Sequence, residues 1–313
     1  MTRVRALARI AFTAPFILVA ACSNSVPAPV QSALSQIALM PIGGGNALTL
    51  PAQRHMVRIG TTLLLSIQQD WAGQEGLGMF RSDDDGATFQ YLGPIQGDAS
   101  HRDTTDMIVV GQDIALIYSY EGPDLVGSTA HDVYFQWWRH RNNSWSPDPA
   151  VRVFDSTSNA TGFYRGELAI DGQGRYWIQS FFLETDGSAT GAIAVSTNQG
   201  ASWTREPNLV NLPYRGGGRL TALGTRMIFI YDGHDDGTNN AHFRVRDDSA
   251  ALGTWGPEQN FNDMVYHGAA YSAIADDLDD MHFVYKDKNA VLWYRYFNGT
   301  SFGTKQQMES MGD

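Results

Sequence analysis

The feature of this 313-residue sequence that most constrains its fold is an internal repeat. Each repeat contains an apolar strand, a tight turn rich in Gly or Asp, and a second apolar strand, which is the pattern of a β-hairpin. The turns fall near residues 60, 111, 172, 224 and 277. A spacing of about fifty residues is typical of a β-propeller, in which each four-stranded blade is one repeat. The sequence therefore predicts an all-β fold.

The number of repeats predicts five blades, and six blades remain the alternative. Residues 23–50 are too short for a sixth blade, although residues 37–50 could supply one strand. The C-terminal segment 305–310 is expected to pair with the first blade and so to close the ring. No helical periodicity indicates a long helix anywhere after the N-terminal segment.

Residues 1–21 have the pattern of a secretory signal peptide, with three arginines before an apolar run from Ile10 to Ala21. This run is too short to cross a bilayer comfortably. It leads directly into Cys22, and the sequence VAAC resembles the lipobox of bacterial lipoproteins. The resemblance implies that Cys22 is lipidated. By resemblance to enterobacterial sorting rules, Ser23 favours the outer membrane, with the domain on its periplasmic or cell-surface face.

Residues 22–46 are rich in Ser, Ala, Pro and Gly, which is the composition of a flexible tether. The propeller domain is expected to span residues 47–313. Because Cys22 is the only cysteine, no disulfide bond is expected, and the domain must be stabilised by an apolar core. With 43% apolar residues the chain is long enough to form such a core in one domain.

The charge balance limits the partners. The whole chain carries 22 Lys plus Arg and 33 Asp plus Glu, and removal of the three signal-peptide arginines leaves 19 − 33 = −14. We therefore expect no nucleic-acid partner, and membrane attachment only through the lipid anchor. The sequence contains no HExxH or paired-Cys pattern, so no metal and no cofactor is expected. The protein is expected to be a monomer.

Two turn sequences identify the outer half of the blade. They are SDDDGATF at residues 82–89 and STNQGASW at residues 196–203. Both resemble the Asp-box, or bacterial neuraminidase repeat, of sialidase-like propellers. The side chain of Asp84 or Asn198 is expected to accept backbone N–H bonds within its turn, and the Gly to supply a positive φ. In the family this box is structural and lies away from the ligand.

The segments that enter the repeats carry the candidate ligand-binding residues. In four of them a basic residue lies nine positions before the equivalent turn residue (111, 174, 224 or 276), and these are Arg102, Arg165, Arg215 and His267. Closure of the ring would bring these groups together at the mouth of the central channel, where ligands of propellers bind. Converging guanidinium groups favour an anionic ligand, and nearby tyrosines offer flat faces to sugar rings. Alternatively, each arginine braces its own blade against an acidic neighbour.

The resemblance to sialidases implies a catalytic set as well. Three arginines would hold the substrate carboxylate, and Arg102, Arg165, Arg215 and Arg219 are the candidates. A tyrosine nucleophile needs a glutamate as its base, a role that Glu167 could fill for Tyr164, Tyr214 or Tyr271. Asp70 is the candidate acid.

These observations predict a propeller that binds an acidic glycan. If the sialidase-like catalytic set is present, the same protein also hydrolyses that glycan. The alternative is a non-catalytic binding or scaffold module, because a fold does not determine a function. A further alternative is a uronate lyase, in which the candidate residues for β-elimination are Tyr214, Arg215, His267 and Tyr271.

Overall fold

The computed structural model describes residues 53–71, 74–95, 102–121, 132–154, 162–183, 189–206, 218–232, 241–261, 271–287, 289 and 291–309. Within these residues the chain forms 21 β-strands and no helix. The strands form five sheets that follow one another along the chain. The sheets are the five blades of a β-propeller, as the repeat predicts.

The first three blades contain thirteen strands. Blade 1 has β1–β4, which span Met56–Ile59, Thr62–Trp71, Gln74–Ser82 and Gln90–Pro94. Blade 2 has β5–β9, which span Arg102–Val110, Asp113–Glu121, Val133–Arg141, Ser144–Pro147 and Val151–Phe154. Blade 3 has β10–β13, which span Gly162–Ile170, Tyr176–Leu183, Ala189–Ser196 and Thr204–Arg205. In blade 2 both β8 and β9 pair with β7.

The last two blades contain eight strands. Blade 4 has β14–β17, which span Gly218–Leu223, Arg226–Asp232, Ala241–Asp247 and Gln259–Phe261. Blade 5 has β18–β21, which span Tyr271–Ala275, Met281–Lys286, Leu292–Phe297 and Gln306–Glu309.

Except for β9, which pairs with β7, the strands within a blade are antiparallel neighbours in chain order, so each blade begins at one edge of its sheet. The first strands are β1, β5, β10, β14 and β18, and each contacts the first strand of the next blade along this series. They form the inner wall around the hub. The expectation that the C-terminal segment pairs with the first blade is wrong, because β21 pairs with β20 of its own blade. Pairing across a short loop costs less loop-closure entropy than pairing across the whole domain.

The turns that follow β3 and β12 have the expected hydrogen bonds. Asp84 Oδ1 accepts the backbone N–H of Thr88 at 2.8 Å, and Gly86 has a φ of 89°. In the second turn Asn198 Oδ1 accepts the backbone N–H of Ser202 at 2.9 Å. Both turns connect the outer strands of their blades, so they are remote from the inner wall.

The apolar core lies between neighbouring blades. Phe135 of blade 2 packs with Tyr176 of blade 3 in one buried cluster. This contact needs Gly200, since a Cβ there would lie 2.1 Å from a ring carbon of Phe135. Similar clusters join blades 1 and 2, blades 3 and 4, and blades 4 and 5. Because the apolar side chains pack between the blades, polar side chains can occupy the hub.

Candidate functional site

Four consecutive inner strands each place one buried polar side chain at the hub. These residues are at most 5% exposed, and they are Asp106, Glu167, Arg219 and Tyr271. Each lies five or six residues before the turn of its own blade, so the repeat places them at equivalent positions. In blade 1 the equivalent positions are those of Arg54 and His55, directly before β1. We call Arg54, Asp106, Glu167 and Arg219 the hub cluster.

A β-bulge positions Glu167. In the pairing of β10 with β11, Tyr164 lies opposite Phe181 and Glu167 lies opposite Gln179. Two residues of β10 therefore oppose one residue of β11. Such a bulge bends the strand and re-aims the side chains that follow it. This irregularity brings Glu167 to the level of Asp106 and Arg219.

Arg54 and Asp106 form a bidentate ion pair across blades 1 and 2. Arg54 Nε donates to Asp106 Oδ1 at 2.8 Å, and Arg54 Nη2 donates to Oδ2 at 2.5 Å. Asp106 also accepts the backbone N–H groups of Arg54 and of Leu168, both at 2.8 Å. In return Arg54 donates to the carbonyl oxygen of Leu168 in blade 3. This one carboxylate therefore ties three blades together.

Glu167 and Arg219 form a looser pair across blades 3 and 4. Arg219 Nη1 lies 3.8 Å from Glu167 Oε2, and both side chains are buried. Arg219 also donates to the carbonyl oxygen of Ala273 in blade 5 at 3.2 Å. Within the described residues, Glu167 Oε2 accepts no hydrogen bond. The hub cluster thus contains one close, bidentate ion pair and one pair whose charged atoms lie farther apart.

The surroundings of Glu167 and Asp106 shift the pKa values of the two carboxyl groups in opposite directions. Burial raises the pKa of Glu167 well above its usual value, and the nearby charge of Asp106 raises it further. Burial would also raise the pKa of Asp106, but the charge and the hydrogen bonds of Arg54 hold it below the usual value. Burial and the neighbouring Arg54 lower the pKa of Arg219, which as a guanidinium nevertheless stays protonated at neutral pH. Asp106 is therefore the ionised partner, while Glu167 retains its proton to higher pH.

A cavity of about 420 Å³ lies beside the hub cluster. Arg54 and Arg219 both line it, together with the polar side chains of Gln53, Thr221 and Ser272. Its apolar wall comes from the inner strands of blades 2 to 5 and consists of Ile108, Ala169, Ile170, Leu220, Ala222, Ala273, Ile274 and Ala275. A volume of this size falls within the range of small-molecule sites.

Three of the predicted site residues lie at the hub in the described part of the chain. Glu167 and Arg219 form the pair above, and Tyr271 of blade 5 lies near enough to Arg219 to influence its pKa. Arg102 and Arg165 lie in the inner strands β5 and β10, where only their backbone is described. Asp70 lies in β2, opposite Glu75, again with only its backbone described. Four predicted residues lie outside the described residues, and they are Cys22, Tyr214, Arg215 and His267.

Arg54 and Asp106 were not predicted as members of the site. The predicted basic residues lie near the start of each inner strand, whereas the buried hub residues lie two to four positions further along the chain. A comparison of all polar positions in the aligned inner strands would have found Asp106. Arg54 has no such signal, because its role depends on contacts with blades 2 and 3.

The described residues contain no candidate metal site and no candidate membrane-spanning helix. No group of three or more His, Cys, Asp or Glu side chains in these residues could hold a metal ion. The same part of the chain contains no helix that is long and apolar enough to cross a membrane.

Comparison with known proteins gives structural likeness alone. No family model and no curated protein matches the chain. A Hadza microbial sialidase superposes with a TM-score of 0.60 at 12% identity, over 85% of this chain and 60% of that one. Trypanosoma rangeli sialidase superposes with a TM-score of 0.57 at 12% identity, over 84% of this chain and 49% of that one. The Penicillium chrysogenum α-L-arabinanase, complexed with arabinobiose, gives 0.54 at 12% identity over 76% of each chain.

The chain thus spans between about half and 60% of the length of these sialidases. At this level of identity the likeness concerns the fold and not the activity. The chain is a β-propeller whose blades have the arrangement seen in sialidases and an arabinanase.

Proposed function

We propose that this protein binds an acidic carbohydrate at the hub of the propeller. The observation that carries the proposal is that Arg54 and Arg219, from opposite ends of the hub cluster, line one cavity of about 420 Å³. The mature chain is strongly acidic by its composition. Two arginines on one cavity of such a protein favour an anionic ligand.

The charge balance of the hub cluster supports this proposal. Arg54 and Arg219 contribute two positive charges, and Asp106 contributes one negative charge. Glu167 contributes none while it retains its proton, which its raised pKa favours. The hub cluster then has a net charge of +1, and Arg219 lines the cavity in which a ligand carboxylate would lie.

The lining of the cavity suits a sugar ring. Gln53, Thr221 and Ser272 supply amide and hydroxyl groups that can bond to sugar hydroxyls. Ala222 and Ile274 supply apolar surface for the carbon face of a ring. Small-molecule sites combine a few placed polar groups with an apolar wall in this way.

Hydrolysis of the bound glycan is a second candidate function. It is favoured by Tyr271 and Glu167, a buried phenol and a buried carboxyl that both act on Arg219. A tyrosine nucleophile requires a neighbouring base, and an ionised Glu167 would be one. Binding without hydrolysis requires only the arginines and the cavity, so it is the simpler proposal.

A titration with matched acidic and neutral sugars tests the proposal. The probes are N-acetylneuraminate against its methyl ester, and glucuronate against glucose. We expect at least one acid to bind about tenfold or more tightly than its neutral partner, because a hydrogen bond to a charged group contributes about 1.5–3 kcal/mol. Equal affinity within both pairs, or no binding of any probe, would refute an acidic-sugar site. Fluorogenic sialosides and uronate polymers added to the same protein report hydrolysis or lyase activity.

The affinity for the acidic sugar should depend on pH through Glu167. Since its pKa is raised in the folded protein, Glu167 is neutral at low pH and ionises only as the pH rises through that raised value. The new negative charge opposes the ligand carboxylate, so affinity falls with rising pH. Calorimetric titrations from pH 5 to pH 9 should show this fall. The Glu167→Gln variant stays neutral and should lose the dependence; if it keeps the wild-type profile, another group is responsible.

We further propose that the propeller is held at the bacterial outer membrane by a lipid on Cys22. The support is the sequence of residues 1–22, with its arginines, apolar run and terminal cysteine. Substitution of Cys22→Ser should abolish incorporation of an alkyne-labelled fatty acid and move the protein from the membrane fraction to the soluble fraction. Ser23→Ala is the matched control and should remain labelled. Persistent labelling of the Cys22→Ser protein would show that the fatty acid is attached to another residue, which would refute lipidation at Cys22.

A further inference from the structure

The cavity beside the hub cluster opens along blade 5. Among the residues that the structure describes, the inner strands β5, β10, β14 and β18 line it, whereas β1 contributes no lining residue. In β18, Tyr271 and Ala273 are buried in the cluster shared with blade 4. Ser272 and Ile274 lie on the opposite face of the strand. Both line the cavity although they are exposed, Ile274 by 68%. A sugar in the cavity would therefore meet solvent on the side of blade 5 that faces away from blade 4.

The exposed face of β18 continues outwards across the sheet of blade 5. Residues that lie opposite each other in an antiparallel sheet share a face. The pairing of β18, β19 and β20 gives two such rows, one with Ile274, His282 and Tyr296 and one with Ser272, Val284 and Tyr294. Both rows begin in the cavity, and every residue in them is partly or fully exposed. We call these residues the blade 5 face.

Hydrogen bonds hold the aromatic rings of the blade 5 face in place. His282 Nδ1 lies 2.8 Å from the Tyr294 hydroxyl, and His282 Nε2 lies 3.1 Å from Asp276 Oδ2. A neutral imidazole that donates to the carboxylate can accept the Tyr294 hydroxyl at its other nitrogen, so both bonds form together. Tyr296 donates to Asp280, and this bond raises the pKa of Tyr296 to about 12. The rings are thus ordered before any ligand binds.

The chemistry of the blade 5 face fits neutral sugar units. Aromatic rings pack against the C–H groups of sugars, and carboxylates such as that of Asp276 accept hydrogen bonds from sugar hydroxyls. The His282 side chain is 40% exposed, so a ligand can reach it. The negative charges of Asp276 and Asp280 disfavour a second acidic unit here. Because the rings are already ordered, binding would cost little side-chain entropy.

We propose that the ligand is an oligosaccharide whose acidic unit lies at the hub and whose neutral units lie along the blade 5 face, against His282, Tyr294 and Tyr296. The distance from β18 to β20 is about 10 Å, which leaves room for at least one unit beyond the acidic one. The inference rests on the proposed function, because the hub fixes the acidic end. It gives the blade 5 face a role in selecting the sugar that is linked to the acid.

Calorimetric titration with a free acid and with an oligosaccharide of the same acid tests this inference. The probes are N-acetylneuraminate against N-acetylneuraminyl-lactose, and glucuronate against glucuronosyl-xylobiose. We expect at least one oligosaccharide to bind about tenfold more tightly than its free acid, because its neutral units contact the rings. His282→Ala and Tyr296→Ala should each remove most of this gain and leave the affinity for the free acid unchanged. His140→Ala is the matched control and should keep the gain, because this histidine of blade 2 is also partly exposed and packs against an aromatic ring, that of Trp145.

The outcomes separate this inference from the proposed function. If the free acids bind but neither oligosaccharide gains affinity, the hub site stands and the extension along blade 5 is wrong. The extension is also wrong if the gain persists in folded His282→Ala and Tyr296→Ala proteins. If no probe binds, the hub site is refuted, and this inference with it.

Saturation-transfer NMR on the unaltered protein gives a second measurement that needs no variant. When the aromatic protons of the protein are saturated, the neutral units of the bound oligosaccharide should receive saturation as well as the acidic unit, because they lie against the rings. Saturation confined to the acidic unit would place the neutral units in solvent and overturn the inference.

Discussion

Replacement of Arg219 by glutamine is expected to weaken the binding of an acidic sugar about 10- to 100-fold. In the proposed site Arg219 is the guanidinium that meets the ligand carboxylate, because it lines the cavity from the inner strand of blade 4. Loss of a hydrogen bond between two charged groups in a buried site costs about 1.5–3 kcal/mol. Calorimetric titration with N-acetylneuraminate and with glucuronate measures the change. The affinity for a neutral sugar should change much less, because its interaction with Arg219 is not charge-assisted.

Two further variants make this result interpretable. Arg219→Lys keeps the positive charge but loses the planar fork, so it should bind with intermediate affinity. Arg226→Gln removes another arginine of blade 4, one that bonds to Gly299 at the surface, and should bind as the wild type does. Thermal denaturation of each variant verifies that it is folded at the titration temperature. A folded Arg219→Gln protein with wild-type affinity would exclude Arg219 from the ligand site.

Replacement of Asp106 by asparagine is expected to cause the largest loss of stability. Asp106 accepts four hydrogen bonds from blades 1 and 3, and its carboxylate is the buried partner of Arg54. Asparagine would leave that guanidinium without its counter-charge and would present an N–H group to donors. Breaking a buried ion pair costs about 3–5 kcal/mol, which lowers the Tm of a domain of this size by roughly 10 °C. Differential scanning calorimetry at neutral pH measures this loss.

The control for Asp106 is an ion pair on the surface. Asp85 pairs with Arg58 at 2.5 Å, but the Asp85 side chain is 77% exposed. Because exposed pairs contribute little, Asp85→Asn should change the Tm by no more than about 2 °C. A similarly small change for Asp106→Asn would show that the hub does not depend on this carboxylate.

The pH dependence of stability gives a second readout for Asp106. Its pKa in the folded protein lies below the usual value. The stabilisation that Asp106 provides is therefore fully present above the pKa of an Asp in the unfolded chain, which is about 4. It is lost as the pH falls towards the lower pKa that Asp106 has in the folded protein. The Asp106→Asn variant should lack this part of the acid destabilisation.

The repeat predicted the fold because its signal is local. Strand, turn and strand recur at the same spacing, and Gly60, Gly111 and Gly224 all adopt the positive φ that these tight turns require. The position of the C-terminal strand was predicted wrongly because both β20 and blade 1 could offer it an edge. Sequence pattern cannot rank a nearby edge against a distant one, whereas loop-closure entropy does.

The site was predictable only in part. Glu167, Arg219 and Tyr271 were candidates for catalysis or binding, and the structure brings them to one hub. Asp106 was not predicted as a site residue because the prediction used only the basic residues near the start of each inner strand. Arg54 precedes the first strand of its blade, and only its contacts with Asp106 and Leu168 give it a role.

The arrangement of charges also bears on the scaffold alternative. That alternative concerns Arg102, Arg165 and Arg215, whose side chains lie outside the described ones, and it stays a prediction. The arginines that are described pair across blades, Arg54 with Asp106 of blade 2 and Arg219 with Glu167 of blade 3. The first pair is saturated and has the geometry of a structural tie. The second is longer and has an oxygen without a hydrogen bond from the described residues. The hub cluster therefore combines a closely bonded ion pair with a more loosely spaced one.

A crystal structure of the protein soaked with N-acetylneuraminate, or with glucuronate if that acid binds more tightly in solution, tests the central claim most directly. The account predicts electron density for the sugar in the cavity beside the hub cluster, with its carboxylate within about 3 Å of the Arg219 guanidinium. Density for the sugar only at the rim of the blades, or an empty hub at a concentration that saturates binding in solution, would contradict it.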